Sequence, residues 1–139
     1  MTDTSIKKIN HIALLVDDID QAAAFWRKAL GLKMGHIEDV PQENARVAFF
    51  PVGESKIELV QPTDPDTGLG KYLEKRGAGI HHICLEVGDI AAVLADLKVK
   101  GVQLINQEPQ SRDDGTLYAF IHPKSAFGVL VELYQVPDD

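Results

Sequence analysis

A chain of 139 residues is long enough for one domain with a real hydrophobic core. Hydrophobic residues make up 45% and charged residues 25%, an ordinary globular balance, and the formal net charge is -7. Such an acidic surface argues against nucleic acid as the main partner, because phosphate binding needs clustered Lys and Arg. Cys84 is the only cysteine, which excludes an intrachain disulfide; inside an apolar run it reads as a small core side chain. The opening "MTDTSIKKIN" has no apolar core of signal-peptide length, and no apolar run approaches the roughly 20 residues of a membrane span. A soluble, cytoplasmic protein is expected.

Taken in chain order, an alternating strand is predicted at 9–16 ("INHIALLV"), closed by an Asp-Asp turn. A helix follows at about 19–30, with Ile19, Ala22, Ala23, Trp26 and Leu30 at helical spacing, and Gly31 is placed to end it. Strands are predicted at about 32–37, 45–51 and 56–61, then a linking helix at about 67–76. The series then repeats: a strand at 80–87 ("IHHICLEV"), a helix at about 89–100 carried by Ile90, Val93, Leu94 and Leu97, Gly101, and strands at about 102–106, 116–121 and 128–135. Asp17, Asp18 and Asp89 lie between strand and helix, where turns or N-caps are their expected use.

The repetition is literal. His11 aligns with His82, and the same spacing pairs Ile12 with Ile83, Leu14 with Leu85, Val16 with Val87 and Asp18 with Asp89. "ARVAFF" (45–50) matches "TLYAFI" (116–121), and "KIELVQ" (56–61) matches "LVELYQ" (130–135). These matches point to a duplicated βαβββ module, about 9–65 and 80–135, within one domain spanning 1–139. The expected fold is α+β, with the two modules forming a curved mixed sheet.

Side chains alternate across a strand. Ile12, Leu14 and Val16 share one face, which a helix must cover, so His11 and Ala13 look the other way. Likewise His82, Cys84 and Glu86 oppose Ile83, Leu85 and Val87, while His81 lands on the helix side as a structural residue. Glu58 is flanked by Ile57 and Leu59, and Glu132 by Val131 and Leu133. A carboxylate centred in a buried strand is costly unless paired or bound to a metal. One such His or Glu is usually a satisfied core residue or a wetted one. Four that obey the repeat, His11 with His82 and Glu58 with Glu132, are harder to assign to chance. Two imidazoles and two carboxylates suit Co²⁺, Mn²⁺, Ni²⁺, Fe²⁺ or Zn²⁺. On an octahedral ion they leave two positions open, where a substrate with two oxygens could chelate.

The duplicated module with its His, Glu, His, Glu order resembles the vicinal oxygen chelate superfamily, which includes glyoxalase I, and more closely the methylmalonyl-CoA epimerase family. The resembling segments include "INHIALLVDDIDQAAAFWRKALGLK", "EKRGAGIHHI" and "HPKSAFGVLVELYQ", and the resemblance runs over about residues 9 to 135. Two departures stand out. Some epimerases carry a proposed catalytic glutamate in the strand that here reads "ARVAFF", where the nearest residue is Val47. Many have a Gly-Ala-His-Gly-like turn where this chain has "SRDDG".

The resemblance implies an isomerase that interconverts the 2R and 2S forms of methylmalonyl-CoA by proton abstraction and return through a metal-stabilised enolate. Glu132 and Glu58 are the implied acid–base groups as well as ligands, Co²⁺ is the foremost metal, and Lys124 in "HPKS" is a candidate contact for the acyl-CoA substrate. A homodimer is implied as well. His122 reads as a turn residue, and His36 has no assigned role. A glyoxalase I-like lactoylglutathione lyase would use the same quartet. A ring-cleaving dioxygenase would use two His and one carboxylate and leave the place of Glu58 open. A metal-free ligand-binding protein of this fold would lack the quartet.

Overall fold

The computed structural model describes residues 3–138. The chain forms two compact units, one spanning His11–His81 and the other combining the segment up to Asn10 with His82 and all that follows. Strand β1 (Ile6–Leu15) begins in the second unit and ends in the first. The first unit continues with α1 (Ile19–Ala24), β2 (Ile37–Val40), β3 (Ala45–Val52), β4 (Ser55–Pro62) and α2 (Gly68–Arg76). Strand β5 (Gly79–Val87) begins in the first unit and ends in the other, which also holds α3 (Ile90–Val99), β6 (Gln110–Ser111), β7 (Leu117–Ile121) and β8 (Val131–Gln135). Strand order is β2-β3-β4-β1 in one module and β5-β8-β7-β6 in the other. In each, the first and last strands of the module pair in parallel and the remaining pairs are antiparallel. The predicted βαβββ module is therefore realised twice, as α+β with mixed strand pairing in each.

Each first helix is fixed at its start by two acceptors. Asp18 accepts from the Gln21 N–H at 3.1 Å, and Asp89 from the Ala92 N–H at 3.2 Å, so both aspartates are the expected N-caps. The second acceptor comes from the last strand of the module: Gln61 Oε1 takes the Ile19 N–H at 2.8 Å, and Gln135 Oε1 takes that of Ile90 at 2.9 Å. Each helix thus has two of its free N-terminal donors satisfied and is tied to β4 or β8. Gly31 and Gly101 end their helical segments with φ of +75° and +79°, where a side chain would be strained.

Apolar packing explains the layers. Ile19, Ala23 and Trp26 meet Leu14, Val16, Ala48, Phe50, Ile57 and Leu59. In the other unit Ile90, Val93 and Leu94 meet Val87, Leu104, Ala119 and Leu133. Each fully buried Leu or Ile contributes about 1.5–3 kcal/mol of transfer free energy.

Three elements differ from expectation. The helix predicted over 19–30 changes at Phe25 into a π-helical turn (Phe25–Ala29), with the Leu30 N–H bonded to Phe25 O at 3.2 Å. The strand predicted at 32–37 lies at Ile37–Val40, because pairing with β3 begins only where Ile37 meets Ala48. The strand predicted at 102–106 is reduced to a single bridge, Leu104 with Ile121. There the Asn106 side chain accepts the Phe120 N–H at 2.8 Å in place of a strand partner, and the paired residues are Gln110 and Ser111. Among the described residues no helix is long and apolar enough to cross a membrane.

Candidate active site

The register of the parallel pairs creates the same arrangement in both units. Ala13 lies opposite Glu58 across β1 and β4, and Cys84 lies opposite Glu132 across β5 and β8. Paired residues share a face, so each glutamate stands on the face of the histidine two residues before its partner. His11 Nε2 lies 3.4 Å from Glu58 Oε1, and His82 Nε2 lies 3.1 Å from Glu132 Oε1. Both imidazoles are buried, and Glu132 is only 1% exposed. The antiparallel neighbours set Phe49 opposite Glu58 and Phe120 opposite Glu132. Phe120 meets the His82 ring edge-on at 5.6 Å, which limits its rotation. Gln61 and Gln135, three residues after the glutamates, point to the opposite face and bind the helix starts, so they hold the register that aims each carboxylate.

Each unit therefore offers one imidazole nitrogen and one carboxylate oxygen on a largely apolar face. That donor chemistry fits a divalent cation and also a proton carrier: a carboxylate with an oxygen at hydrogen-bond range of an imidazole can take or give a proton there.

Residues expected elsewhere are found as follows. Cys84 is fully buried on the face of His82 and Glu132. Glu86, farther along that face, accepts from Asn10 Nδ2 at 3.0 Å and has the Lys8 ammonium at 3.9 Å. His81 lies on the opposite face and meets the Tyr72 ring of α2 edge-on at 4.9 Å, as befits a structural residue. Val47 is buried among Ala13, Leu15, Ala45 and Val60, so no carboxylate stands at that position. Lys124 is exposed in the turn Pro123–Ala126, which His122 caps by accepting the Lys124 N–H at 3.0 Å. His36 lies on the surface near Glu38.

One expectation about the faces needs correction. His11 was expected to look away from all helices. Helix α1 does cover the Leu14 and Val16 side, but Leu69, Tyr72 and Leu73 of α2 pack on the His11 face, over Ala13, Leu15 and Val60. The reason is that Ala13 and Leu15 are apolar on that face too and require cover.

Sequence reasoning missed Arg112. Its Nη2 donates to Glu132 Oε2 at 3.1 Å, and its guanidinium lies 4.2 Å from the Tyr118 ring centroid and 5.7 Å from that of Tyr134. It stands in the turn "SRDDG", built by Gly115 N–H to Arg112 O at 3.0 Å and Arg112 N–H to Thr116 O at 2.9 Å. In the same turn the Thr116 N–H and hydroxyl hold the Asp114 carboxyl below its ordinary value of 3.8. The only sequence signal for Arg112 was that this turn departs from the pattern of the epimerases.

Residues 10–120 match the sequence pattern of the Glyoxalase/Bleomycin resistance protein/Dioxygenase superfamily, and the chain belongs to it. Within that class its similarity is to epimerases of acyl-CoA. It is 37% identical to the mitochondrial methylmalonyl-CoA epimerase of Homo sapiens over 94% of this chain and 75% of that one. It is 41% identical to the ethylmalonyl-CoA/methylmalonyl-CoA epimerase of Cereibacter sphaeroides over 94% of this chain and 99% of that one. The fold superposes on a variant of the Streptomyces coelicolor methylmalonyl-CoA epimerase in complex with 2-nitronate-propionyl-CoA, with a TM-score of 0.85, 34% identity, and 95% and 96% of the two chains covered. This is the relationship that "EKRGAGIHHI" and "HPKSAFGVLVELYQ" implied.

Proposed function

We propose that this protein is a metal-dependent epimerase that interconverts the 2R and 2S forms of methylmalonyl-CoA. The observation that carries the reading is the repeated His–Glu pair: His11 with Glu58 and His82 with Glu132, each formed by the same parallel register. The identities to epimerases of acyl-CoA over nearly the whole chain supply the substrate class.

In this reading His11, Glu58, His82 and Glu132 hold one divalent ion, Co²⁺ foremost, with Mn²⁺, Ni²⁺, Zn²⁺ or Fe²⁺ as alternatives. When bound, the ion supplies Lewis-acid chemistry toward the acyl oxygens. The residues of the chain do the rest. The imidazoles act as neutral nitrogen donors. Glu132 and Glu58 are the candidate proton carriers as well as ligands, one for each face of the carbon between the thioester and the carboxylate. Two such groups are the simplest means of removing a proton from one face and returning it to the other. Val47 supports giving both roles to the ligand pair, since the position of a further glutamate in some epimerases is held here by a buried valine. Lys124 is a candidate contact for the anionic coenzyme A portion.

A homodimer of 15.3 kDa chains belongs to the same proposal, and sedimentation at a monomer mass would remove it. So does residence in the cytoplasm, with which a single buried thiol is compatible; cell fractionation is the check.

The test of function is to supply one epimer of methylmalonyl-CoA and follow appearance of the other, with metal analysis alongside. Interconversion together with one metal per chain, lost in His82→Ala, supports the reading. Stoichiometric metal retained in His82→Ala removes His82 from the site. Absence of interconversion by metal-loaded protein removes the function.

A further inference from the structure

The two glutamates are equivalent by repeat, yet their surroundings are not. Arg112, Tyr118 and Tyr134 converge near Glu132, with Tyr118 and Tyr134 directly opposite one another across β7 and β8. At the matching positions the first module has Pro41, Val47 and Val60, with Val47 opposite Val60 across β3 and β4. The repeat thus presents the same scaffold twice and builds an arginine on tyrosines in one copy only.

The geometry at Glu132 divides the carboxylate. Oε1 faces His82 Nε2 at 3.1 Å, and Oε2 accepts from Arg112 Nη2 at 3.1 Å. The guanidinium is in turn held over Tyr118, within cation–π range, on a side chain that remains 29% exposed. A planar guanidinium stacked on a ring has few orientations left, so its donor direction is fixed.

We infer that Arg112 is a positioning residue for Glu132: by holding Oε2 it leaves Oε1 as the single oxygen that the carboxylate presents beside His82. The inference rests on the proposed role of Glu132 as a metal ligand and adds how that ligand is aimed. Partners that orient a ligand typically account for about 10–100-fold in metal affinity or activity.

Charge and positioning have opposite signs here, which makes the inference testable without turnover. A guanidinium repels a nearby metal cation, so if Arg112 acted by charge alone, removing it would tighten metal binding. If it acts by aiming Glu132, removing it loosens binding. Metal-free protein should be titrated with Co²⁺ by calorimetry, and the visible absorption of the bound ion recorded, for wild type, Arg112→Met and Arg112→Lys. Arg112→Met is expected to bind Co²⁺ about 10–100-fold more weakly, with a changed visible spectrum. Arg112→Lys keeps the charge but has no planar fork to lie on Tyr118, and is expected to weaken binding as well. Should Arg112→Met fail to fold, Tyr118→Leu carries the test: it removes the ring beneath the guanidinium, leaves both charges, and should shift affinity and spectrum in the same direction. Unchanged or tighter binding with an unchanged spectrum in the folded variants overturns the inference while the metal reading stands. Failure of wild type to bind Co²⁺ removes the metal reading and the inference with it.

Discussion

Replacing Glu132 by glutamine alters one atom at the point where the carboxylate meets both His82 and Arg112. The side chain is 1% exposed and its volume is unchanged, so no cavity forms. The amide oxygen can still accept from Arg112, and the amide NH₂ can donate to a neutral His82. What is lost is a charge-assisted bond, worth about 1.5–3 kcal/mol when both partners are dry. Because the Arg112 side chain keeps 29% of its exposure and can recruit water, the lower part of that range, about 1.5–2 kcal/mol, is expected. Loss of a general acid–base group typically lowers a rate by about 10²–10⁴-fold. That corresponds to about 2.7–5.4 kcal/mol of barrier. Urea unfolding gives the stability change and exchange of the substrate 2-proton gives the rate, with metal content measured in the same samples. A folded variant with full metal occupancy and near-normal exchange would refute Glu132 as an essential base.

Other consequences follow from the fold. Leu133→Ala opens a cavity in the cluster of Val87, Ile90, Val93 and Leu94, and is expected to cost about 2–5 kcal/mol in urea unfolding, far more than a surface substitution. Gln135→Ala leaves the first N–H of α3 without its side-chain acceptor, and a loss of about 1 kcal/mol is expected, with a similar loss for Gln61→Ala at α1. An unchanged midpoint in both would show that water replaces these acceptors at no cost. For Asp114 the folded value lies below the ordinary 3.8, so its contribution is complete above that pH and is lost as pH falls through the folded value. A carboxyl titration midpoint at or above 3.8 by NMR would contradict the hydrogen bonds from Thr116.

Much of this was legible from the chain because it obeys a period. Alternation in "INHIALLV" and "IHHICLEV" gave the face of His11 and His82, and the repeat related Glu58 to Glu132. Asp18 and Asp89 could be read as caps from their place between strand and helix. What escaped had no period. Arg112 sits in an irregular turn, and its meeting with Glu132 across 20 residues depends on the pairing of β7 with β8. Gln61 and Gln135 were visible as matched letters, yet their bonds to the helix starts need the strand and helix to be docked. The edge pairing at Gln110 was hidden because one asparagine, Asn106, supplies by side chain what a strand at 102–106 would have supplied by backbone. The placing of α2 follows from Ala13 and Leu15, apolar residues on the histidine face that require cover.

An epimerase of this kind moves a proton on a methylmalonyl thioester. The most direct test of that chemistry is incubation of metal-loaded protein with methylmalonyl-CoA in deuterated water, followed by mass and NMR analysis of the thioester. Deuterium is expected at carbon 2, with both epimers formed, no carbon–carbon bond broken and no redox cofactor consumed. Absence of exchange by metal-loaded protein, together with isomerisation of a glutathione hemithioacetal, would contradict the epimerase and establish the lyase chemistry instead.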